Sequence, residues 1–278
     1  MPEPKKLEII FADLNGDSFT NEIYQYDGNG NTIEHIEYET KGVMLNKIVS
    51  KYDGGNRVTE ERIFADGEIM SEHKKHIRKE DGKLERIEID YQDGSTSIQY
   101  KKKDEENNTE EWIEEDEDGE LESREVVEYD EKGKILQREV FDYRGKLKEV
   151  FVFEYDDNGD LETRKQLDNK KKLVLTTEYE YDDNKNMVYR ANRNRKGLLS
   201  DFVKIDYDTA GQVVKQNISG KYSFVFEYDQ EGRTVLEERY LPGNQLEYQS
   251  LYEYDEEGRM TKEVNLEFTK TYNYEFFD

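Results

Sequence analysis

The chain has 278 residues, is 33% hydrophobic and 39% charged, and carries a formal net charge of −26. That field repels phosphate backbones, which argues against nucleic-acid binding and for basic proteins or cationic ligands. Zero cysteines exclude disulfides and thiolate metal sites, and 21 Tyr and 12 Phe argue against the disorder that so charged a composition otherwise implies.

In chain order, Met1-Pro2-Glu3-Pro4-Lys5-Lys6 lacks the apolar run of a signal peptide, and no later stretch is long enough to span a membrane. The expectation is a cytoplasmic protein with no membrane insertion. Phe11-Ala12-Asp13-Leu14-Asn15-Gly16 reads as a first turn. At Tyr26-Asp27-Gly28-Asn29-Gly30 a pattern begins: Tyr-Asp, two polar residues, Gly, a polar residue, an aliphatic. It returns loosely at Tyr52-Asp53, drifts at Arg78-Lys79-Glu80-Asp81-Gly82-Lys83-Leu84, and drifts again at Lys103-Asp104-Glu105-Glu106-Asn107. Sharp copies follow at Tyr129-Asp130-Glu131-Lys132-Gly133-Lys134-Ile135 and Tyr155-Asp156-Asp157-Asn158-Gly159-Asp160-Leu161. Others stand at Tyr207-Asp208-Thr209-Ala210-Gly211-Gln212-Val213 and Tyr254-Asp255-Glu256-Glu257-Gly258-Arg259-Met260, with looser ones at Tyr181-Asp182 and Tyr228-Asp229. The period is 26, with one interval of 21 between Tyr207 and Tyr228. Repeats of this length build arrays of supersecondary units.

Half a period on lie further turns, at Phe64-Ala65-Asp66-Gly67-Glu68-Ile69, Phe141 to Leu147 and Tyr240 to Leu246. Asp or Asn ahead of a Gly suits a type I turn closed by a residue with positive φ. Each unit is therefore one β-hairpin of two strands. In Leu147 to Tyr155 the period of two puts Leu147, Phe151, Phe153 and Tyr155 on one face. Tyr24-Gln25-Tyr26, Tyr179-Glu180-Tyr181 and Phe226-Glu227-Tyr228 repeat that ladder, and Val126, Val140 and Val150 are placed on the opposite face. No helical period appears. The expected fold is all-β: residues 1–278 form a single repeat array of about ten hairpins. About twenty strands make an antiparallel meander in a long twisted or spiralling, solenoid-like sheet. End strands need edge protection, and neither Lys5-Lys6 nor Phe276-Phe277-Asp278 supplies it.

The Tyr-Asp-x-x-Gly-x-aliphatic copies resemble the YD-repeat family, the repeats of RHS and Wap-type polymorphic toxin proteins. The resemblance covers nearly the whole chain in eight copies. In large members it implies a spiral hairpin shell around a toxin; this chain is too short for a closed cocoon and carries no catalytic tip. Short acidic YD-like chains are similar to immunity proteins that neutralise secreted toxins.

Three groups of residues are site candidates. The run Asp104 to Glu122 holds twelve carboxylates, no Lys or Arg, and the single Trp. Glu110, Glu111, Trp112, Glu114, Glu115, Asp116, Glu117 and Asp118 combine charge with an aromatic anchor, as a hot spot for a basic protein requires; the plainer alternative is a solvated strand pair with Trp112 in the core. Asp156-Asp157-Asn158-Gly159-Asp160 and Asp116-Glu117-Asp118-Gly119-Glu120 have oxygens near a Gly, but no EF-hand spacing, and read as turns. His73 and His76 fall on opposite strand faces, unsuited to one metal, and read as surface residues. No nucleophile, base or Gly-rich loop pattern marks an enzyme. The expectation is a non-enzymatic binding protein with no cofactor and no metal, most concretely an immunity protein blocking a basic toxin domain. The alternative is a structural or cell-surface repeat protein that contacts glycans.

Overall fold

The computed structural model describes residues 4–65 and 67–278. The signal-peptide reading of Met1 to Glu3, and Asp66 of the turn expected at Phe64 to Ile69, lie outside the described residues. The strands begin with β1 (Pro4–Asp13), β2 (Ser18–Tyr26), β3 (Thr32–Thr40), β4 (Val43–Tyr52), β5 (Val58–Ala65) and β6 (Ile69–Arg78). Next come β7 (Leu84–Tyr91), β8 (Thr96–Asp104), β9 (Thr109–Asp116), β10 (Leu121–Tyr129), β11 (Ile135–Phe141) and β12 (Leu147–Tyr155). Then follow β13 (Leu161–Asp168), β14 (Leu173–Tyr181), β15 (Met187–Asn194), β16 (Leu199–Tyr207) and β17 (Val213–Ile218). The last are β18 (Tyr222–Tyr228), β19 (Thr234–Leu241), β20 (Gln245–Tyr254), β21 (Met260–Asn265) and β22 (Phe268–Phe276). By contact the chain divides into two compact units, Met1–Gln99 with Gln249–Asp278, and Tyr100–Tyr248.

The turns form as the repeat dictates. The Asp27 amide donates to the Asn31 carbonyl at 2.9 Å and the Gly30 amide to the Asp27 carbonyl at 3.1 Å. Asp27 Oδ1 accepts the amides of Asn29 and Asn31, at 2.9 and 3.0 Å, so the aspartate satisfies backbone donors that the tight turn leaves unpaired. The fourth residue must be left-handed to return the chain to the ladder, hence φ +81 at Gly30. Lys185 takes the same position in the Tyr181 copy with φ +66. At the drifted Arg78 copy the turn survives, with the Gly82 amide donating to the Lys79 carbonyl at 2.9 Å.

Successive repeats are tied by side chains. The hydroxyls of Tyr52, Tyr181 and Tyr207 donate to the carbonyls of Thr32, Leu161 and Met187, at 2.9, 3.0 and 2.9 Å. Each acceptor opens the strand after the preceding Tyr-Asp turn. A second tie runs from the residue after the motif Gly: Lys134 Nζ donates to the Gly159 carbonyl at 2.7 Å, and Gln212 Nε2 to that of Gly232 at 2.8 Å.

The expectation of an open, spiralling, solenoid-like sheet is wrong. All twenty-two strands belong to one sheet, and β1 pairs with β22, Leu7 opposite Tyr274 and Ile9 opposite Tyr272. First and last strands are neighbours, so the sheet is a closed antiparallel barrel. The physical reason is the unprotected edges: a meander leaves two rows of free N–H and C=O groups, and closure pairs them.

Residues paired across a ladder share a face. In the unit 100–248 that rule keeps Phe151, Phe153 and Tyr179 together and puts Val126 and Val150 on the other side. Val140 departs from expectation: it pairs with Glu149 and so shares the Phe151 face, because the bulge between Val140 and Phe141 shifts the alternation. Fully buried side chains are few and mostly small, among them Val150, Thr177 and Ala191. Both faces carry charge at mid-strand, Arg138 and Arg164 on the Phe151 side and Glu139 and Lys165 on the other.

Candidate functional site

The acidic run does not form one patch. Within β9 the alternation sends Glu110, Trp112 and Glu114 to one side and Glu111, Ile113 and Glu115 to the other. Ile113 is the buried member, while Trp112 is 38% exposed and so is not a core residue. Lys101 Nζ sits 4.1 Å from the Trp112 ring centroid and 3.0 Å from Glu110 Oε2, holding both. Glu111 pairs with Arg124 at 2.6 Å, Glu114 accepts the Ser123 hydroxyl at 3.3 Å, and the Tyr100 hydroxyl bonds Glu115. Asp116 Oδ1 accepts the amides of Asp118 and Glu120, at 3.0 and 2.8 Å. Glu117 and Asp118 are left exposed at the turn tip.

A more concentrated acidic feature was not singled out in the sequence. The β12–β13 and β14–β15 turns, consecutive Tyr-Asp copies, enclose a hollow of about 390 Å³. Asp156, Asp160, Glu162, Glu180, Asp182 and Asp183 supply its carboxylates, against the single cation of Lys185. Backbone amides hold Asp156 and Asp182 below the usual carboxylate range, so both stay charged. Lys185 Nζ lies 3.3 Å from Asp160. Read singly, Asp156 to Asp160 is a turn, and Asp156 Oδ1 does accept the Asp160 amide at 2.7 Å. The hollow arises only from stacking that turn on its neighbour. A second hollow, about 360 Å³, lies at the same Tyr-Asp end between the β8–β9 and β10–β11 turns. It is lined by Lys103, Glu110, Tyr129 and Asp130, which brings Glu110 of the acidic run to this end.

The histidines are not surface residues. His73 and His76 have side chains 15% and 14% exposed, and each imidazole meets a glutamate. His73 Nε2 lies 2.8 Å from Glu60 Oε1 and Nδ1 3.4 Å from Asp90, while His76 Nε2 lies 3.0 Å from Glu61. Of the lysines beside them, Lys75 pairs with Asp90 of β7 at 3.0 Å and Lys74 with Glu72 of its own strand at 2.8 Å. Glu60 is the hub, also bound by Lys51 and Arg62 at 2.6 Å each; the Lys51 hydrogen bond is the main cause that holds its pKa down at about 2. The two rings do point to opposite faces, as their spacing requires.

No protein-family model matches the chain, and no curated protein matches it. Among solved structures it is similar to "TcdB2-TccC3-TEV", with 11% identity and a TM-score of 0.46 over 88% of this chain and 15% of that one. It is also similar to a porin-like protein from Bacteroides uniformis ATCC 8492, with 9% identity and a TM-score of 0.37 over 98% of each chain. The chain thus spans about 15% of the TcdB2-TccC3-TEV chain.

Proposed function

We propose that the chain is a non-enzymatic binding protein that receives a basic protein segment at the Tyr-Asp turn end of residues 100–248. The observation that carries this is the hollow in which six carboxylates face one lysine. Lys185 and Lys101 already occupy places where a partner's cations would go, on Asp160 and on the Trp112 face. A partner Lys or Arg would displace them, and the net charge of −26 would speed its approach. The immunity-type role implied by the resemblance is one form of this, with a basic toxin domain as the partner. No metal, cofactor or covalent chemistry enters it.

The test is calorimetric titration with a lysine-rich peptide at low and high salt. The expected result is salt-sensitive binding that weakens at least tenfold when Glu162→Lys and Glu180→Lys are combined, with melting temperature unchanged. Equal affinity in the double variant would remove the site.

A further inference from the structure

The other end of the same unit has the opposite character. Antiparallel order places the β11–β12, β13–β14, β15–β16 and β17–β18 turns together at the end away from the Tyr-Asp turns. They carry Arg144 and Lys146, then Lys170, Lys171 and Lys172, then Arg195 and Lys196, then Lys221, all exposed. The carboxylates in these turns are Asp142 and Asp168, and Oδ1 of each is bound to backbone amides of its own turn. Of the lysines, Lys171 pairs with Glu139 at 3.1 Å. Among the described residues Lys146, Lys170, Lys172, Lys196 and Lys221 make no ion pair, in a chain with 67 acidic residues.

Between the cations stand apolar side chains that the fold leaves uncovered. Tyr143 is 58% exposed, Leu198 61%, Leu199 47% and Val174 45%. Exposed Leu173 and Tyr222 continue the row at the second and fourth turns. Single exposed apolar residues need no explanation, but a row of them at successive turn tips, interleaved with cations, does.

We propose that this rim docks peripherally on an anionic lipid surface, lysines and arginines on headgroups and the aliphatic tips just below them. The chemistry favours a bilayer over a compact anion. The charge is spread over four turns, and tyrosine and lysine both present an apolar stem under a polar tip. The chain's overall negative charge does not forbid it. A nine-residue strand such as β14 spans roughly 30 Å, several times the screening length of about 8 Å at physiological salt, so the acidic end is electrically remote. The acidic turn Asp116–Glu120 adjoins the rim on the β10 side and bounds it there. Docked this way, the unit would hold its acidic hollow away from the lipid.

The experiment is co-sedimentation of the full chain with phosphatidylcholine vesicles, with and without phosphatidylserine. Binding is expected only with phosphatidylserine. Lys170→Glu with Lys172→Glu should reduce it at least tenfold, and Leu198→Gln with Leu199→Gln severalfold, at unchanged melting temperature. Asp157→Lys at the opposite end should leave it intact. Equal sedimentation with both lipids, or full binding by the lysine variant, would overturn the proposal. So would salt-sensitive self-association without vesicle binding, abolished by the lysine variant, which would assign the rim to the acidic end of a second copy.

Discussion

The hydroxyl of Tyr155 donates to the main-chain carbonyl of Ile135 at 2.9 Å, joining one Tyr-Asp turn to the strand that leaves the one before. Where the tyrosine is lost the tie persists: Arg78, at the tyrosine's place in its copy, donates from Nη2 to the Val58 carbonyl at 3.3 Å. Tyr155→Phe should therefore cost about 1 kcal/mol, the net worth of one hydrogen bond, whereas Tyr155→Ala should cost about 3–5 kcal/mol through lost packing. Urea unfolding of both variants checks the ratio.

Lys185 holds a left-handed backbone, φ +66, in a position where most copies have glycine. Lys185→Gly should raise stability by about 0.5 kcal/mol: the relieved strain of about 1 kcal/mol exceeds the worth of an exposed ion pair with Asp160. The reverse change, Gly159→Ala at φ +83, should lower it, since the added methyl would also meet Lys134 Nζ. A drop in melting temperature for Lys185→Gly would show that the Asp160 pair dominates.

Glu60 gives an acid limb. Its carboxyl is held down at about 2 from an ordinary 4.5 by Lys51, His73 and Arg62. A depressed carboxylate stabilises the fold above its unfolded pKa, and that contribution fades as pH falls from about 4.5 to about 2. Glu60→Gln should lie below wild type at pH 7 and lose less stability across that window, measured as urea midpoint against pH.

Tyrosine gives an alkaline limb. Burial, the main cause, raises Tyr272 to about 12, and it also raises Tyr155, Tyr181 and Tyr207. The unfolded chain ionises first, so this stability is complete below pH 10 and disappears towards 12. Absorbance titration of tyrosine should show a cooperative step coincident with loss of β circular dichroism, rather than the gradual curve of free tyrosines.

Closure makes its own prediction. Tyr272→Pro removes a donor on β22 opposite Ile9 and obstructs the β1 ladder. Two edges would then be available for intermolecular pairing, and light scattering should reveal aggregates at a temperature where the native chain stays monodisperse.

The hairpins were legible because each is local: Asp, a left-handed residue three places along, and a tyrosine before it are all within one turn. Closure was not, because β1 and β22 are joined by no turn and pair only as the two ends left over. The unprotected Lys5-Lys6 and Phe276-Phe277 edges were its single trace. Sites suffered from the same locality. Glu110 to Asp118 is continuous in sequence, yet strand alternation divides it, whereas Asp156 and Asp182 meet only because one period stacks on the next. Val140 was misplaced because a bulge changes parity without changing composition. His73 and His76 read as exposed because their partners Glu60, Glu61 and Asp90 lie on other strands.

The unequal repeats have a mechanical consequence. After Tyr207 the next copy arrives 21 residues on instead of 26, and β17 and β18 shorten to 6 and 7 residues. Tyr228 still reaches the Val213 carbonyl at 2.7 Å, and Tyr274 that of Met260 at 3.0 Å across a hairpin one residue shorter. Two residues fewer in each of the two adjoining strands and one fewer in the turn between them leave the hydroxyl tie untouched and draw back only the far turn. The Tyr-Asp end is thus the datum from which each hairpin is measured, and variation in hairpin length is written entirely into the opposite rim.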